Sequence, residues 1–199
     1  MSTTVLSTIG TAMTRLGIWA QLFLVVREGC VESTTAEPDP GLSLDWIGRD
    51  DLEQVHALES WRKREQVESW FEEGQRVFGI KDGNRLVGRT VCNLETFAMN
   101  GLIRPLEKDE VYLHSACVHP DYRGRNIAPL MRGACYRALR EDGYKRFYSV
   151  TKYLNKPARR FKQKLGAVEE ALLFYVDFFH RWRWIFTWNL PAGKQNRTR

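Results

Sequence analysis

The chain has 199 residues, a length suited to one domain with short extensions. Its composition, 43% hydrophobic and 27% charged, excludes disorder throughout, because there is enough apolar surface to offset the entropy of ordering. No apolar run approaches the roughly 18 residues a spanning helix needs, and the longest, Ile18 to Val26, has no basic stretch directly ahead of it, so no secretory leader is expected. Charge is uneven: residues 1–100 carry 10 Lys/Arg against 15 Asp/Glu, and residues 101–199 carry 20 against 9. A basic second half points to an anionic partner, such as a phosphate-rich cofactor, a nucleic acid or an anionic membrane surface.

In chain order, residues 1–14 read as a polar tail, and residues 15–28 as a short helix running into a strand at Leu22 to Arg27. A connector rich in Pro, Asp and Glu closes at Gly41. Residues 1–41 are therefore set apart as an extension, residues 42–190 form the domain, and residues 191–199 are a basic tail. Leu42 to Ile47 alternates as a strand does. A helix follows from Asp50, where Asp50 and Glu53 have capping-box spacing. A second helix carries Val67, Trp70 and Phe71 and stops at Gly74. Arg76 to Ile80 and Arg85 to Leu94 read as strands joined by the turn Lys81-Asp82-Gly83-Asn84. Residues 95–109 lack a period and read as a loop, and Glu110 to Val118 is again strand-like. Ile127, Leu130, Met131, Ala134, Cys135, Ala138 and Leu139 then form one helical stripe, with Gly143 as its stop. A strand from Arg146 to Thr151, a helix from Pro157 to Leu165, and strands near Val168 to Phe178 and Trp182 to Trp188 complete the domain. The pattern is a mixed α/β domain with a largely antiparallel sheet, in which strands 110–118 and 146–151 run parallel on either side of a helix.

The chemistry centres on residues 118–128. A strand ends at Val118, Pro120 stops it, and a turn with Gly124 and Asn126 feeds a helix start at Ile127 and Ala128. The first N–H groups of a helix have no intrahelical partner and sit at the positive end of its dipole. Gly124 and Asn126 tolerate positive φ, so successive N–H groups can converge as a nest. Arg123 and Arg125 add charge, and the segment reads as a cradle for a pyrophosphate.

Arg123-x-x-Asn126-x-Ala128, after a strand ending Val118-His119-Pro120, resembles motif A of the GNAT superfamily of acetyl-CoA-dependent N-acyltransferases, with Asn126 where a glycine is usual. Asn155-x-x-Ala158 followed by Phe161-Lys162-x-Lys164-Leu165-Gly166-Ala167 resembles its motif B. The resemblance covers roughly residues 42–178. It implies a split sheet whose wedge takes pantetheine, bound by main-chain groups of Ala116, Cys117 and Val118. Pyrophosphate would lie on Arg123, Gly124, Arg125, Asn126, Ile127 and Ala128, with Asn155 contacting the pantetheine or phosphate arm. It implies acetyl-CoA or another acyl-CoA as co-substrate and direct acyl transfer to an amine, a small molecule or a peptide. Many members protonate the leaving thiolate with a tyrosine on the motif B helix; Lys162 stands at that position here.

His114 is the candidate base, since it lies four residues before the strand's end and imidazole titrates near neutral pH. It is expected to share a sheet face with Tyr112, Ala116 and Val118, and Glu110 is the fallback. Cys117 reads as a core thiol rather than a nucleophile. The four cysteines and four histidines show no metal-ligand spacing, so no metal is expected, and reduced thiols suit a cytoplasmic protein. In the last strand Trp182, Trp184, Phe186 and Trp188 share one face, as either a final strand packing its aromatics on helices or a basic–aromatic surface for lipid headgroups, an acyl chain or a polyanion. Peripheral membrane contact therefore stays open, while nucleic acid is not expected. The alternative to an enzyme is a non-catalytic acyl-CoA binder or a basic surface-binding module.

Overall fold

The structure, a computed structural model, describes residues 17–29 and 40–191. The expected N-terminal tail, most of the connector, residues 192–199 of the basic tail, and Cys30 lie outside the described residues. Ten strands and four helices follow in the order β1 (Ile18–Glu28), β2 (Leu42–Ile47), α1 (Leu52–Ala57), α2 (Arg64–Glu72), β3 (Arg76–Asp82), β4 (Arg85–Asn93), β5 (Thr96–Met99), β6 (Leu102–Pro105), β7 (Glu110–Val118), α3 (Ile127–Glu141), β8 (Arg146–Lys152), α4 (Lys156–Lys164), β9 (Val168–Phe178) and β10 (Trp182–Asn189). Eight strands form one sheet in the order β10-β9-β1-β8-β7-β4-β3-β2, antiparallel except where β7 meets β8. This is the expected mixed α/β architecture.

Residues 18–28 depart most from the sequence reading. They form one strand with no helix before Leu22, and that strand lies inside the sheet between β8 and β9. Phe23, Leu24 and Val26 are buried, while Leu22 and Val25 beside them are half-buried apolar residues, so the run Leu22 to Val26 is apolar throughout and hides the alternation of a half-exposed strand. The stretch read as a loop over 95–109 holds a hairpin, β5–β6, turned through Asn100 (φ 47°) and Gly101 (φ 92°). Asn-Gly is the pair that such a turn demands, and Phe97 and Met99 are buried against Tyr112. The Asp50–Glu53 capping box does not form. The chain enters α1 through a 3-10 turn with no side-chain cap, and Asp51 accepts from Gln54 (2.9 Å) and pairs with Lys81 (2.7 Å).

The stripe on α3 packs as the spacing requires. Ile127, Met131, Cys135 and Leu139 join Val111, Leu113 and Phe147 in the main core, on the face shared with Leu165 beyond α4. Helices α1 and α2 cover the other face through Val55, Val67 and Trp70 against Val77 and Val91.

Candidate active site

β7 and β8 are joined by only three residue pairs, Glu110–Arg146, Val111–Phe147 and Tyr112–Tyr148. Both strands continue, to Val118 and Lys152, so beyond Tyr112 the ladder opens into a wedge. On its other side β7 stays paired with β4 as far as Val118 opposite Gly88. The β7 edge that faces the wedge thus offers main-chain groups to an incoming strand-like ligand.

A bulge shapes this edge. Ser115 adopts φ 48°, and the β4–β7 register slips between Arg89 and Val91. One extra residue reverses the side-chain alternation that follows it. His114 and Tyr112 stack on the α2 face (5.4 Å), and Cys117, three residues later, faces the same side, its thiol donating to the Leu58 carbonyl (3.4 Å). Val118 turns to the α3 core instead. The expected common face of His114 and Val118 is therefore corrected. No sequence signal marks a serine at positive φ in a strand, and such strain is held only where its surroundings fix it. Here Arg89 fixes it: its buried guanidinium donates to the Ser115 carbonyl (2.6 Å), pairs with Glu59 (2.6 Å) and lies over the Trp70 ring (4.7 Å). Sequence reasoning missed Arg89, although an arginine between apolar residues in a central strand is the signal that could have found it.

His114 is half-buried, with Nε2 bonded to Gln75 Oε1 (2.7 Å) and Nδ1 to Ser115 Oγ (3.0 Å). Since Gln75 Oε1 only accepts, Nε2 carries the proton and Nδ1 accepts from the serine hydroxyl. Burial, then the charges of Arg89, Arg132 and Arg62, lower its pKa to about 3. The ring is therefore neutral at physiological pH. Glu110 is unsuited to the fallback role. Burial pushes its pKa up, but a hydrogen bond from Arg104 (2.7 Å), the Glu107 N–H and the nearby charges outweigh this and lower it, and Arg146 also pairs with it (3.0 Å). Cys117 is held as a thiol, its pKa raised by burial and by Glu59.

At the wedge mouth, β7 gives way to an exposed turn, with Gly124 at φ 83° and Asn126 at φ 57°, leading into α3. A Cβ at Gly124 would meet nothing within 4 Å, so the glycine serves its backbone angle and leaves the approach clear. The first intrahelical bond runs from the Leu130 N–H to the Asn126 carbonyl (3.1 Å), which leaves the earlier N–H groups of α3 aimed out of the helix start. Ile127 is buried and anchors that start, Ala128 is half-buried, and Asn126 accepts from Lys164 of α4 (3.0 Å). Arg123 donates to the Val118 carbonyl (3.2 Å), and Arg125 lies over the Tyr122 ring (5.2 Å). An exposed cationic turn at a helix start could hold a pyrophosphate. Asn155 caps α4 by accepting from the Ala158 N–H (3.1 Å). Lys162, at the tyrosine position, points inward to Ser149 (2.7 Å), Thr151 and Glu28 (3.4 Å), and burial lowers its pKa despite Glu28. Among the described residues no three His, Cys, Asp or Glu side chains gather to hold a metal, and no helix is long and apolar enough to cross a membrane.

Solved structures of several other proteins resemble the chain in fold. A GNAT-family protein from Novosphingobium aromaticivorans shares 18% identity at a TM-score of 0.60, over 80% of this chain and 66% of that one. A GNAT-family acetyltransferase from Colwellia psychrerythraea shares 14% at 0.59, over 86% and 56%. The aminoglycoside N-acetyltransferase AAC(6')-Iy in complex with CoA shares 18% at 0.53, over 66% and 90%. The chain thus spans about two thirds of the length of the first and somewhat over half of the second. Among proteins of curated function none matches this sequence. The sequence model of the Acetyltransferase (GNAT) family matches residues 43–167, from β2 through the wedge and the cradle to the end of α4, and on that match the chain belongs to the GNAT acetyltransferase family.

Proposed function

We propose that the protein is an acyl-CoA-dependent N-acyltransferase, acting in the cytoplasm, that moves an acetyl group directly onto an amine. The observation that carries this reading is a parallel ladder that ends after three pairs while both strands run on, beside an exposed helix start with two positive-φ residues. In this reading Ala116, Cys117 and Val118 hold the pantetheine arm by main-chain bonds. Gly124, Arg125, Asn126, Ile127 and Ala128 hold the pyrophosphate with their N–H groups, Arg123 adds charge, and Asn155 closes the arm from α4. When bound, the acyl-CoA supplies the thioester. The amine nitrogen forms a bond to its carbonyl carbon, the C–S bond breaks, and the sulfur leaves as a thiolate that takes up a proton.

His114 is the proposed acceptor for the amine's proton, working as a relay. Held neutral, the ring keeps one lone pair, on Nδ1, which accepts from the Ser115 hydroxyl, so the amine's proton reaches it by way of Ser115: the hydroxyl passes its own proton to Nδ1 and takes the amine's in its place. Its low pKa means that it does not keep the proton, which returns through the Ser115 hydroxyl to the leaving thiolate. The likeness to an aminoglycoside acetyltransferase speaks for the fold, so the acceptor is set at the level of an amine, whether small molecule or peptide.

The test pairs binding with turnover. Acetyl-CoA at about a hundred times its Kd stabilises the fold by about 2.7 kcal/mol, read as a rise in Tm. Thiol release with a panel of amines then identifies the acceptor class. No Tm shift at millimolar acetyl-CoA overturns the reading. A shift without thiol release from any amine makes the chain a non-catalytic acyl-CoA binder.

A further inference from the structure

The two edges of the sheet are built differently. β2 is six residues long and turns the polar side chains of Ser43 and Asp45 to solvent. β10 is eight residues long, holds a continuous register with β9, and contains no proline, lysine or bulge, the usual guards of an exposed edge. One face of it is apolar and exposed: Trp182, Trp184, Phe186 and Trp188 are 55, 49, 50 and 52% exposed there, while Arg183, Thr187 and Asn189 are exposed on the other. Phe186 stacks against Phe174 and Trp188, and Trp184 meets Phe178 edge-on, so the rings form an ordered row.

We propose that β10 pairs antiparallel with β10 of a second copy of the chain, about a twofold axis at Ile185, making one sheet continuous through two molecules. The phase of the ladder supports this. The Leu190 N–H bonds to the Glu170 carbonyl (2.7 Å), so the even-numbered residues of β10 turn their main-chain groups to β9. Arg183, Ile185 and Thr187 then turn theirs outward. An axis at Ile185 sets Ile185 against its own copy and Arg183 against Thr187, so each outward donor meets an outward acceptor. It sets Trp182 against Trp188 and Trp184 against Phe186, which joins the two aromatic rows face-consistently. No like charges fall opposite one another, and every residue from Trp182 to Trp188 finds a partner in the second strand.

An anionic membrane suits this face less well. Arg183 projects to the other face and is tied to Asp177 (3.3 Å). Ile18, Ala20 and Leu22 of β1 and Phe174, Val176 and Phe178 of β9 continue the aromatic face and bring no cation to it; the cation beside the row is Arg181, over the Trp182 ring at the turn (5.8 Å).

The test is sedimentation equilibrium on the full chain at micromolar concentration. The expected mass is twice the 23.2 kDa of the chain. Thr187→Pro removes an outward N–H that β9 does not use and weakens self-association about tenfold, with an unchanged far-ultraviolet circular dichroism spectrum. W184K/F186K sets like charges opposite each other in the proposed register and yields monomer. W184E/F186K sets opposite charges there and keeps the dimer. This charge pair decides the question if Thr187→Pro does not fold. A monomeric wild type, a dimer that survives both Thr187→Pro and W184K/F186K, equal behaviour of the two charge variants, or a monomer captured by phosphatidylserine vesicles overturns the proposal. Acetyl-CoA turnover is read separately, so an inactive dimer leaves this proposal standing.

Discussion

Two buried arginines lie on opposite faces of the sheet, and they do different work. Arg89, on the α1–α2 face, spends its guanidinium on the Ser115 carbonyl and Glu59 and so fixes one strained residue at the wedge. Arg132, on α3, pairs with Glu28 of β1 (3.3 Å) and donates to Thr90 of β4 (2.6 Å). Glu28 also takes the Tyr136 and Ser149 hydroxyls and pairs with Lys162. The second cluster therefore links β4, α3, β1, β8 and α4 across the split, beside the three strand pairs, the Arg146–Glu110 ion pair and the core packing of Phe147. Burying charge is costly, and a buried ion pair is weak evidence for stability. What these two clusters contribute is geometry: the first sets a main-chain bend, and the second sets how two half-sheets meet.

The largest expected effect breaks the second cluster. Glu28→Ala leaves Arg132 and Lys162 as buried cations without their carboxylate, and should lower the unfolding free energy by about 3–5 kcal/mol, measured by urea titration. The same residue sets an acid limit. Burial raises its pKa, but Arg132, Lys162 and its hydrogen bonds outweigh that and lower it from 4.5. Its stabilisation is therefore complete above about pH 4.5 and is lost as pH falls through the lower folded value, a slope that Glu28→Ala removes. Unchanged stability would show that the cluster does not join the halves.

Arg89→Met tests the first cluster. It frees the Ser115 carbonyl and strands Glu59, so turnover should fall by about a hundredfold while Arg132 and its partners stay intact. If Arg89→Met loses stability but keeps turnover per folded molecule, the bulge is a structural feature alone.

His114→Ala should lower turnover by a comparable factor, about a hundredfold, with the acetyl-CoA Kd unchanged. Because burial and the arginines hold the pKa near 3, the wild-type rate should show no limb near the ordinary imidazole value of 6.5. The depressed pKa also means that His114 adds stability above about pH 6.5 that is lost as pH falls toward 3, and His114→Gln should flatten that dependence. A rate limb near pH 6.5 that vanishes in the mutant would point to a conventional base.

The smallest effect is expected at the cradle. Asn126→Gly relieves a left-handed backbone and removes only an exposed bond from Lys164, so the Kd for acetyl-CoA should change by less than about threefold. A tenfold loss by calorimetry would mean that the amide itself touches the ligand.

The sequence by itself determined the meander from β2 to β4, the run from β7 through α3 to β8, and the cradle turn. These rest on local causes: alternation between turn residues, one apolar stripe on α3, and Gly124 and Asn126 at a helix start. Tertiary structure alone decided three things. It inserted residues 18–28 between β8 and β9, since an unbroken apolar run shows no alternation and finds its partners more than a hundred residues away. It bent β7 at Ser115, which reversed the facing of everything after it and carried Val118 away from His114. And it turned His114 from an ordinary imidazole into one held neutral, because packing buries it and brings to it arginines from β4, α3 and the segment between α1 and α2. Local chemistry sets which elements form; the charges and carbonyls they meet are set by packing.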